Sequence, residues 1–556
     1  AHDSRKASSN RDSRKGDYRD NLLGCLNTIE QVCRLYGFKG TWSTKDATLK
    51  KWLELAQTNG LTWYKFVKYK LTAYDAFHHS QPLPISPLKT GIDKPQTLVG
   101  GKMGRFMYSQ LRSNDRESFL NSILESKKGM PRPDQKMVRQ GEQSTFLDLT
   151  TYEEVLDQTK SLLQWGDITR DFLTPIVLTK SNCESELRRT VRELLSGTKY
   201  TIDDRIHSFF PSTSANYIRS RKDLGAIGEI LEHPSLLEGI RKPGGFYKPT
   251  SQQEERIEDE GRVDLGSLEE IENQFKVLYW RMMCLAAKET NDVKLQGLSE
   301  ALKVRVITKG QPFRQTVLKP LQKKLHTILR KHPTFQLIGM PLTQEIILNR
   351  LGSKLPAGWR FLSGDYSNAT NALHSFVSEI IADEICKIWD IAGLEEILFK
   401  DSLTRHTIEG FPQKRGQLMG SITSFPILCI ANAALCRWAI CLSQQRDVPL
   451  RDCLMLINGD DVAIKGPEGL FPLWREITNF GGLTSSPGKT FFTEEFVQIN
   501  SRRYLYRPPG PEYKTKKGKI RHNPYIPVKF VNMGLLNGLT RSEGILSTDA
   551  QRDPRS

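Results

Sequence analysis

The sequence predicts an α+β fold: an antiparallel sheet with helices on one face, preceded by a long, mostly helical half. Three observations carry this. Apolar runs at 453–457 and 462–464 flank Asn458-Gly459, a strong two-residue hairpin signal. Between 360 and 499 the strand and helix patterns follow in the order βαββ, then α and β. From 21 to 74 apolar residues recur at helical spacing: Leu22-Leu23, Ile29, Val32-Cys33, then Trp52-Leu53, Trp63-Tyr64 and Phe66-Val67.

A chain of 556 residues with 38% hydrophobic content, nine Trp and 24 Phe can bury a large, multi-lobed core. A net charge of +17 points to a polyanionic partner, with acidic membrane surface as the competitor. Nine scattered cysteines without CxxC pairs exclude a zinc site and a disulfide framework, and fit a reducing compartment. The one long apolar run, 424–443, holds Pro426, Asn432 and Arg437. An Arg near the centre of a span is costly in lipid, so this run predicts a buried helix and no integral membrane association.

In chain order, 1–20 is Ser, Arg, Lys and Asp and predicts a disordered tail. Its acids Asp3, Asp12, Asp17 and Asp20 argue against an organelle transit peptide, leaving the cytoplasm as the expected location. After a Pro-rich connector at 81–94, the stretches 106–127, 152–165 and 183–195 read as helices. A polar break at 244–261 precedes a strong helix at 268–288. At 303–310, Lys303 and Arg305 alternate with Val304 and Val306, as in a strand presenting both cations on one face. Lys309 and Arg314 follow. Cations set into an apolar strand pattern suit a phosphate-binding surface.

The stretch 361–371 reads as a strand ending at Asp365, then a turn into a helix at about 372–391. The Gly- and hydroxyl-rich segment 416–426 lets backbone approach a ligand and feeds the apolar helix; the P-loop pattern GxxxxGK[ST] is absent. A helix at 470–480, a loop carrying Lys489 and a hairpin at 496–506 complete the region. The last fifty residues are rich in Pro, Lys and Arg, with one short apolar segment at 528–539.

The hairpin lifts Asp460 and Asp461 to its tip, where adjacent like charges repel unless a cation is present. Taken alone, Gly-Asp-Asp is ordinary turn chemistry. In the βαββ topology, however, the end of the first strand lies beside the hairpin, so Asp365 and Asp460 share one site. Carboxylates from separate strands can hold two Mg²⁺ about 3.5–4 Å apart, and that pair serves in-line phosphoryl displacement. Mn²⁺ can substitute. The cationic strand then meets a triphosphate, and Lys489 is either a proton donor to departing pyrophosphate or a further phosphate clamp.

These residues resemble a family. Gly-Asp-Tyr-Ser-Asn-Ala-Thr-Asn at 364–371, Met-Gly-Ser-Ile-Thr-Ser-Phe-Pro at 419–426, Asn-Gly-Asp-Asp at 458–461 and Pro-Gly-Lys-Thr at 487–490 look like motifs A to D of viral RNA-dependent RNA polymerases. Lys-Val-Arg-Val-Ile at 303–307 resembles the cationic motif F, and 496–506 resembles motif E. The wording is nearest the ourmia-like (botourmiavirus) group, beside the narna- and mitoviruses, and the likeness covers about 298–506.

The resemblance implies a right-hand fold with an RRM-like palm sheet. Its parts are an N-terminal extension and helical fingers at 21–240, further fingers with motif F at 241–350, the palm at 351–506 and a short thumb or tail at 507–556. It implies RNA synthesis on an RNA template of a positive-strand virus, with the viral genome as a ribonucleoprotein partner. Asp365 and Asp460 become metal ligands and Asp461 an auxiliary one, with Lys489 also catalytic. Lys303, Arg305, Lys309, Arg314 and Tyr366 would serve the incoming nucleotide, and Gly420, Ser421 and Thr423 the template and nascent pair. One departure stands out. Related polymerases place a second aspartate after the Ala-Thr of motif A, where it helps recognise the ribose 2′-OH; here that residue is Asn371, with Ser424 or Asn432 able to share the task.

Two other readings compete. A reverse transcriptase also carries three palm aspartates, but its catalytic pair follows an aromatic-x pair rather than Asn-Gly. A basic RNA-coating protein explains the charge of +17 but not Asp365, Asp460 and Asp461 at strand ends.

Overall fold

The computed structural model describes residues 2–160, 176–238, 268–508, 517, 522–539 and 542–543. The polar break at 244–261 lies outside them.

Five helices open the chain: α1 (His2–Leu35), α2 (Lys45–Thr58), α3 (Trp63–His78), α4 (Gly101–Gln110) and α5 (Arg116–Glu125). Their apolar faces close a core of their own around Leu22, Ile29, Trp52, Trp63, Phe66 and Phe119. The expected tail at 1–20 differs: α1 begins at His2. A polar composition removes the drive to bury, not the ability to extend a helix whose later turns, at Leu22 and Leu26, are anchored in a core. α6 (Gln135–Thr150) follows, and the helix expected at 152–165 is not formed in its described part. Residues 152–157 are irregular and Gln158–Lys160 is a strand paired with Ile176–Leu178. α7 (Lys180–Leu195) and α8 (Leu268–Lys288) lie where helices were expected.

The cationic segment forms an antiparallel hairpin, β1 (Asp292–Glu300) with β2 (Lys303–Lys309), in continuous register from Lys294↔Lys309 to Glu300↔Lys303. α6 packs on it through glycines: a side-chain carbon at Gly297 would sit 2.4 Å from Val138, and one at Gly141 2.7 Å from Val304. α9 (Pro312–Lys331) leads from the hairpin into the main core.

The predicted sheet is present: β3 (Trp359–Gly364), β4 (Met455–Asn458), β5 (Asp461–Pro467) and β6 (Phe491–Thr493), antiparallel throughout, in the order β6-β3-β5-β4. Strand alternation sorts its two faces. Leu362, Val462, Ile464, Met455 and Ile457 join the helical core of α10 (Ser375–Trp389), α12 (Ser424–Gln444) and α13 (Leu470–Phe480), beside which runs α11 (Gly393–Thr404). Phe361, Leu456 and Ala463 point the other way, onto the small antiparallel sheet β7 (Phe496–Ile499), β8 (Arg502–Tyr506) and β9 (Tyr525–Pro527).

Among the described residues α12 is the one helix long and apolar enough to cross a membrane, and 83% of its apolar window is buried. Its Arg437 is fully buried and paired with Glu193 of α7 at 2.7 Å. The C-terminal residues turn back onto the first layer: Met533 enters the core of α1 to α5, and Ser542 pairs with Glu300 of β1.

Candidate active site

The Asn458↔Asp461 pair closes the β4-β5 hairpin, so its central residues are Gly459 and Asp460, one position later than the Asn-Gly signal suggested. Gly459 has φ +65° and Asp460 does not have positive φ, the pattern of a type II′ turn, which wants glycine first. The β3-β5 register ends at Gly364↔Val462, and one step further sets Asp365 opposite Asp461. The three carboxylates therefore meet at one edge of the sheet. Burial, then Asp365, raises the pKa of Asp460, while Lys303 and Arg305 act in the opposite sense. Burial, then Asp460 and Asp365, pushes Asp461 up to about 7, although its carboxylate accepts a backbone N–H from Asn500.

The edge is braced from behind. Tyr366 stacks on Trp474 with ring centroids 5.4 Å apart and donates its hydroxyl to Asn432 Oδ1 at 2.7 Å. Asn432 donates to Gly459 O at 3.0 Å, and Gly459 N–H reaches Cys429 Sγ at 3.2 Å. α12 thus ties the strand end to the hairpin tip. In front, Asp365 N–H donates to Thr490 Oγ1 at 3.2 Å, Ser486 N–H donates to Asp365 O at 2.8 Å, and Asn458 donates to Asn500 Oδ1 at 3.1 Å.

Two sets of cations face the acids. From β2, Lys303 interacts with Asp460, and its pKa is lowered by burial and then by Arg305. Arg305 is held by Glu300 at 2.9 Å and touches Met419 Sδ at 3.8 Å. The loop before α12 is pressed on this strand: a side-chain carbon at Gly420 would lie 1.9 Å from Thr308 O. From the other side comes Lys489, whose pKa burial lowers while Asp365 opposes, together with Lys68 of α3 and Lys127. A cavity of about 200 Å³ opens here, lined among others by Asp365, Asp461, Glu125, Lys489, Lys127 and Asn500, with Thr72 beside them.

The structure thus brings Asp365, Asp460, Asp461, Lys303, Arg305 and Lys489 together. By strand alternation Lys309 shares the face of Lys303 and Arg305. Gly420 lies in the loop before α12 and the half-buried Asn371 in the short helix Ala369–Ala372, the two segments joined where Gln417 N–H donates to Thr370 O at 2.7 Å. Five assignments are corrected. Tyr366 and Asn432 are buried in the brace and do not line the cavity. Arg314 turns away to Glu289 O, at 3.1 Å, and to Asp401, at 3.7 Å, because α9 aims it at α11. Thr423 is fully buried with its hydroxyl 2.6 Å from Ser402 Oγ, and Ser421 bonds Ser402 O, so both fasten the loop to α11. Ser424 Oγ is buried and has no hydrogen-bond partner.

Lys68, Lys127, Thr72 and Asn500 were missed. A signal existed: α3 buries twelve of its sixteen residues yet carries Lys68, Lys70 and Asp75, and charges inside an otherwise buried helix need a reason.

A divalent cation fits the acidic edge. The donors are hard carboxylate oxygens, and two of them carry raised pKa values that a cation would relieve. A separate group, Asp203, His207 and Glu272, has ligand atoms within 4.8 Å of one another, but Asp203 and His207 are exposed and far in sequence from the sheet.

No family model matches the chain. It is similar to the RNA-dependent RNA polymerase of Ourmia melon virus (isolate Melon/Iran/VE9), with 34% identity over 236 residues, 38% of this chain. The match spans 27% of that relative's length. This bears out the resemblance to the ourmia-like polymerases read from the motifs. A solved structure, the RNA-dependent RNA polymerase of a human picobirnavirus, is similar at 12% identity over 47% of this chain and 49% of its own, with a TM-score of 0.35.

Proposed function

We propose that this chain is an RNA-directed RNA polymerase that copies a viral positive-strand RNA genome from ribonucleoside triphosphates and releases pyrophosphate. In this reading the four-stranded sheet is an RRM-like palm, the β1-β2 hairpin and neighbouring helices are fingers, and the C-terminal residues with α1 to α5 stand where a thumb would. The supporting observation is the meeting of Asp365, Asp460 and Asp461 at one edge, with Lys303 and Arg305 on one side and Lys489 on the other.

Asp365 and Asp460, assisted by Asp461, would hold Mg²⁺ or Mn²⁺, which when bound supplies charge stabilisation to the attacking and leaving oxygens. Lys303 and Arg305 bind triphosphate oxygens and set the nucleotide's approach; the Glu300 contact fixes the guanidinium's direction. Lys489 holds a proton near departing phosphate. Tyr366 and Asn432 act as positioning residues, keeping Asp365 and Asp460 in register. The unpartnered Ser424 hydroxyl and Asn371 are the groups left to recognise the ribose 2′-OH. Host cytoplasm and a lasting ribonucleoprotein with the genome belong to the same reading.

The test is incorporation of labelled ribonucleotides on an RNA template with Mg²⁺ or Mn²⁺. Asp460→Ala should lower it by about a hundred- to a thousand-fold, as for a lost transition-state stabiliser. Unchanged incorporation overturns the assignment, and tight RNA binding without synthesis in the native chain would favour the coating reading.

A further inference from the structure

The second cationic wall belongs to none of the motifs. Lys68 is on α3, and Thr72, one turn later on the same helix face, lines the cavity. Lys127 lies on the 3₁₀ turn after α5, Ser126–Gly129, and lines it too. Lys489 completes the group from the loop before β6 and lines the cavity, with the Lys68 side chain in its electrostatic reach. Lys127 and Lys489 line the cavity, Lys68 stands one helical turn from Thr72, and Asp365 acts on both Lys68 and Lys489. Lys127 is 3.8 Å from Glu125, which Lys128 engages more closely at 3.0 Å. Glu125, Asp365 and Asp461 line the same cavity, so these cations are compensated in part by carboxylates that also serve the acidic edge.

The wall is firmly placed. Gly488, at φ +84°, sits against Pro84 of the connector, where a side-chain carbon would lie 2.6 Å away. Phe492 N–H donates to Gln81 Oε1 at 2.8 Å. The buried Asp75–Arg503 pair, at 3.0 Å, joins α3 to β8. The first helical layer is therefore locked to the loop that carries Lys489. A cavity of about 200 Å³ is also far larger than the ~10–15 Å³ that one water needs, so it can admit a ligand.

We propose that Lys68 and Lys127 of the N-terminal layer, with Lys489, form a binding site for the phosphate groups of the incoming triphosphate and the departing pyrophosphate, so that this layer is part of the active site. The inference rests on the polymerase reading for the identity of the ligand. Its chemistry is a compact polyphosphate: the cavity is bounded on its far side by Asp365 and Asp461, where a reacting phosphate would sit, and Thr72 and Asn500 add polar contacts.

The test is a thermal-shift titration of the full chain with inorganic pyrophosphate and no divalent cation, alongside binding of a single-stranded RNA oligonucleotide. The native chain should be stabilised by pyrophosphate. Lys68→Met and Lys127→Met should each weaken that binding by about ten-fold, the size of one charge-assisted contact, with RNA affinity unchanged. Methionine keeps the stem of the side chain; Lys68→Gln and Lys127→Gln repeat the measurement if a Met variant melts early. Equal pyrophosphate affinity in native and variant chains overturns the site. So does a loss confined to RNA binding, which would assign these lysines to the nucleic-acid backbone. In the incorporation assay the variants should raise KM for the nucleotide and leave kcat within a few-fold. If pyrophosphate binds as expected while the native chain makes no RNA, the phosphate site stands and the polymerase reading falls.

Discussion

At the scale of single residues, Asp461 shows how function and stability oppose one another here. Its carboxyl is pushed up to about 7 by burial and by two neighbouring carboxylates. The apo protein thus carries an unfavourable anion whenever pH exceeds that value. Asp461→Asn should stabilise the metal-free chain at pH 8 by about 1 kcal/mol, read as a rise in Tm, while lowering incorporation. No rise in Tm would mean that the site is already neutralised. Asn371 poses a question of selectivity. Asn371→Asp should shift the ratio of ribo- to deoxyribonucleotide incorporation, and an unchanged ratio would remove this residue from ribose recognition. Both residues stand out in the sequence only through the order of the motifs around them, since Gly-Asp-Asp by itself is ordinary turn chemistry. Arg314 and Thr423 were misread because a cation or hydroxyl near a site has many structural partners, and only the fold shows Glu289, Asp401 and Ser402 waiting for them.

At the scale of elements, two glycines set the geometry. Gly459 occupies the positive-φ position of the hairpin turn, and Phe425 lies 3.0 Å from where its side chain would begin. Gly459→Ala should cost about 1–2 kcal/mol from backbone strain and reduce activity through Asp460. Gly420 has an ordinary φ but no room, since Thr308 O is 1.9 Å from the position of an added carbon. Backbone cannot yield as a flexible side chain can, so Gly420→Ala must part the loop from β2. A displacement near 1 Å should lower incorporation by about a hundred-fold, with Tm nearly unchanged. Retained activity would show that loop and cationic strand act independently. The hairpin, the sheet and α12 were readable from period-2 and apolar runs. The 152–165 stretch was not, because its apolar spacing fits a helix while Gln158–Lys160 are held by strand pairing with Ile176–Leu178.

At the scale of the whole molecule, one buried cluster joins the helical layer to the sheet region. Arg503 is fully buried against Asp75, and His79 lies between Asp75 and Glu117, 2.8 Å from the latter. Burial would raise Asp75, but Arg503 and His79 outweigh it and hold the carboxyl well below its usual range. Burial likewise opposes charge on His79, yet Asp75 and Glu117 lift it to about 9. The signs follow from linkage. The His79 contribution is fully present below its unfolded pKa near 6.5 and is lost as pH rises through about 9. The Asp75 contribution is present above about 4 and is lost as pH falls. His79→Gln should therefore lower Tm at pH 6 and have a diminishing effect by pH 10. Arg503→Met leaves Asp75 buried without its main partner and should cost about 3–5 kcal/mol. A cost below 1 kcal/mol would show that the layer is held by apolar packing alone.

The sequence by itself determined the sheet, the strand-end acids, the cationic strand and the relatedness to ourmia-like polymerases. Those features are local: periodicity, turn chemistry and motif order lie in short stretches of chain. Tertiary structure alone decided which surface closes the site. Lys68 and Lys489 are 421 residues apart in the chain, and no pattern along it brings them together. They meet because a layer of helices with its own core docks on the small sheet through Asp75 and Arg503, and that docking turns an open carboxylate edge into a walled cavity.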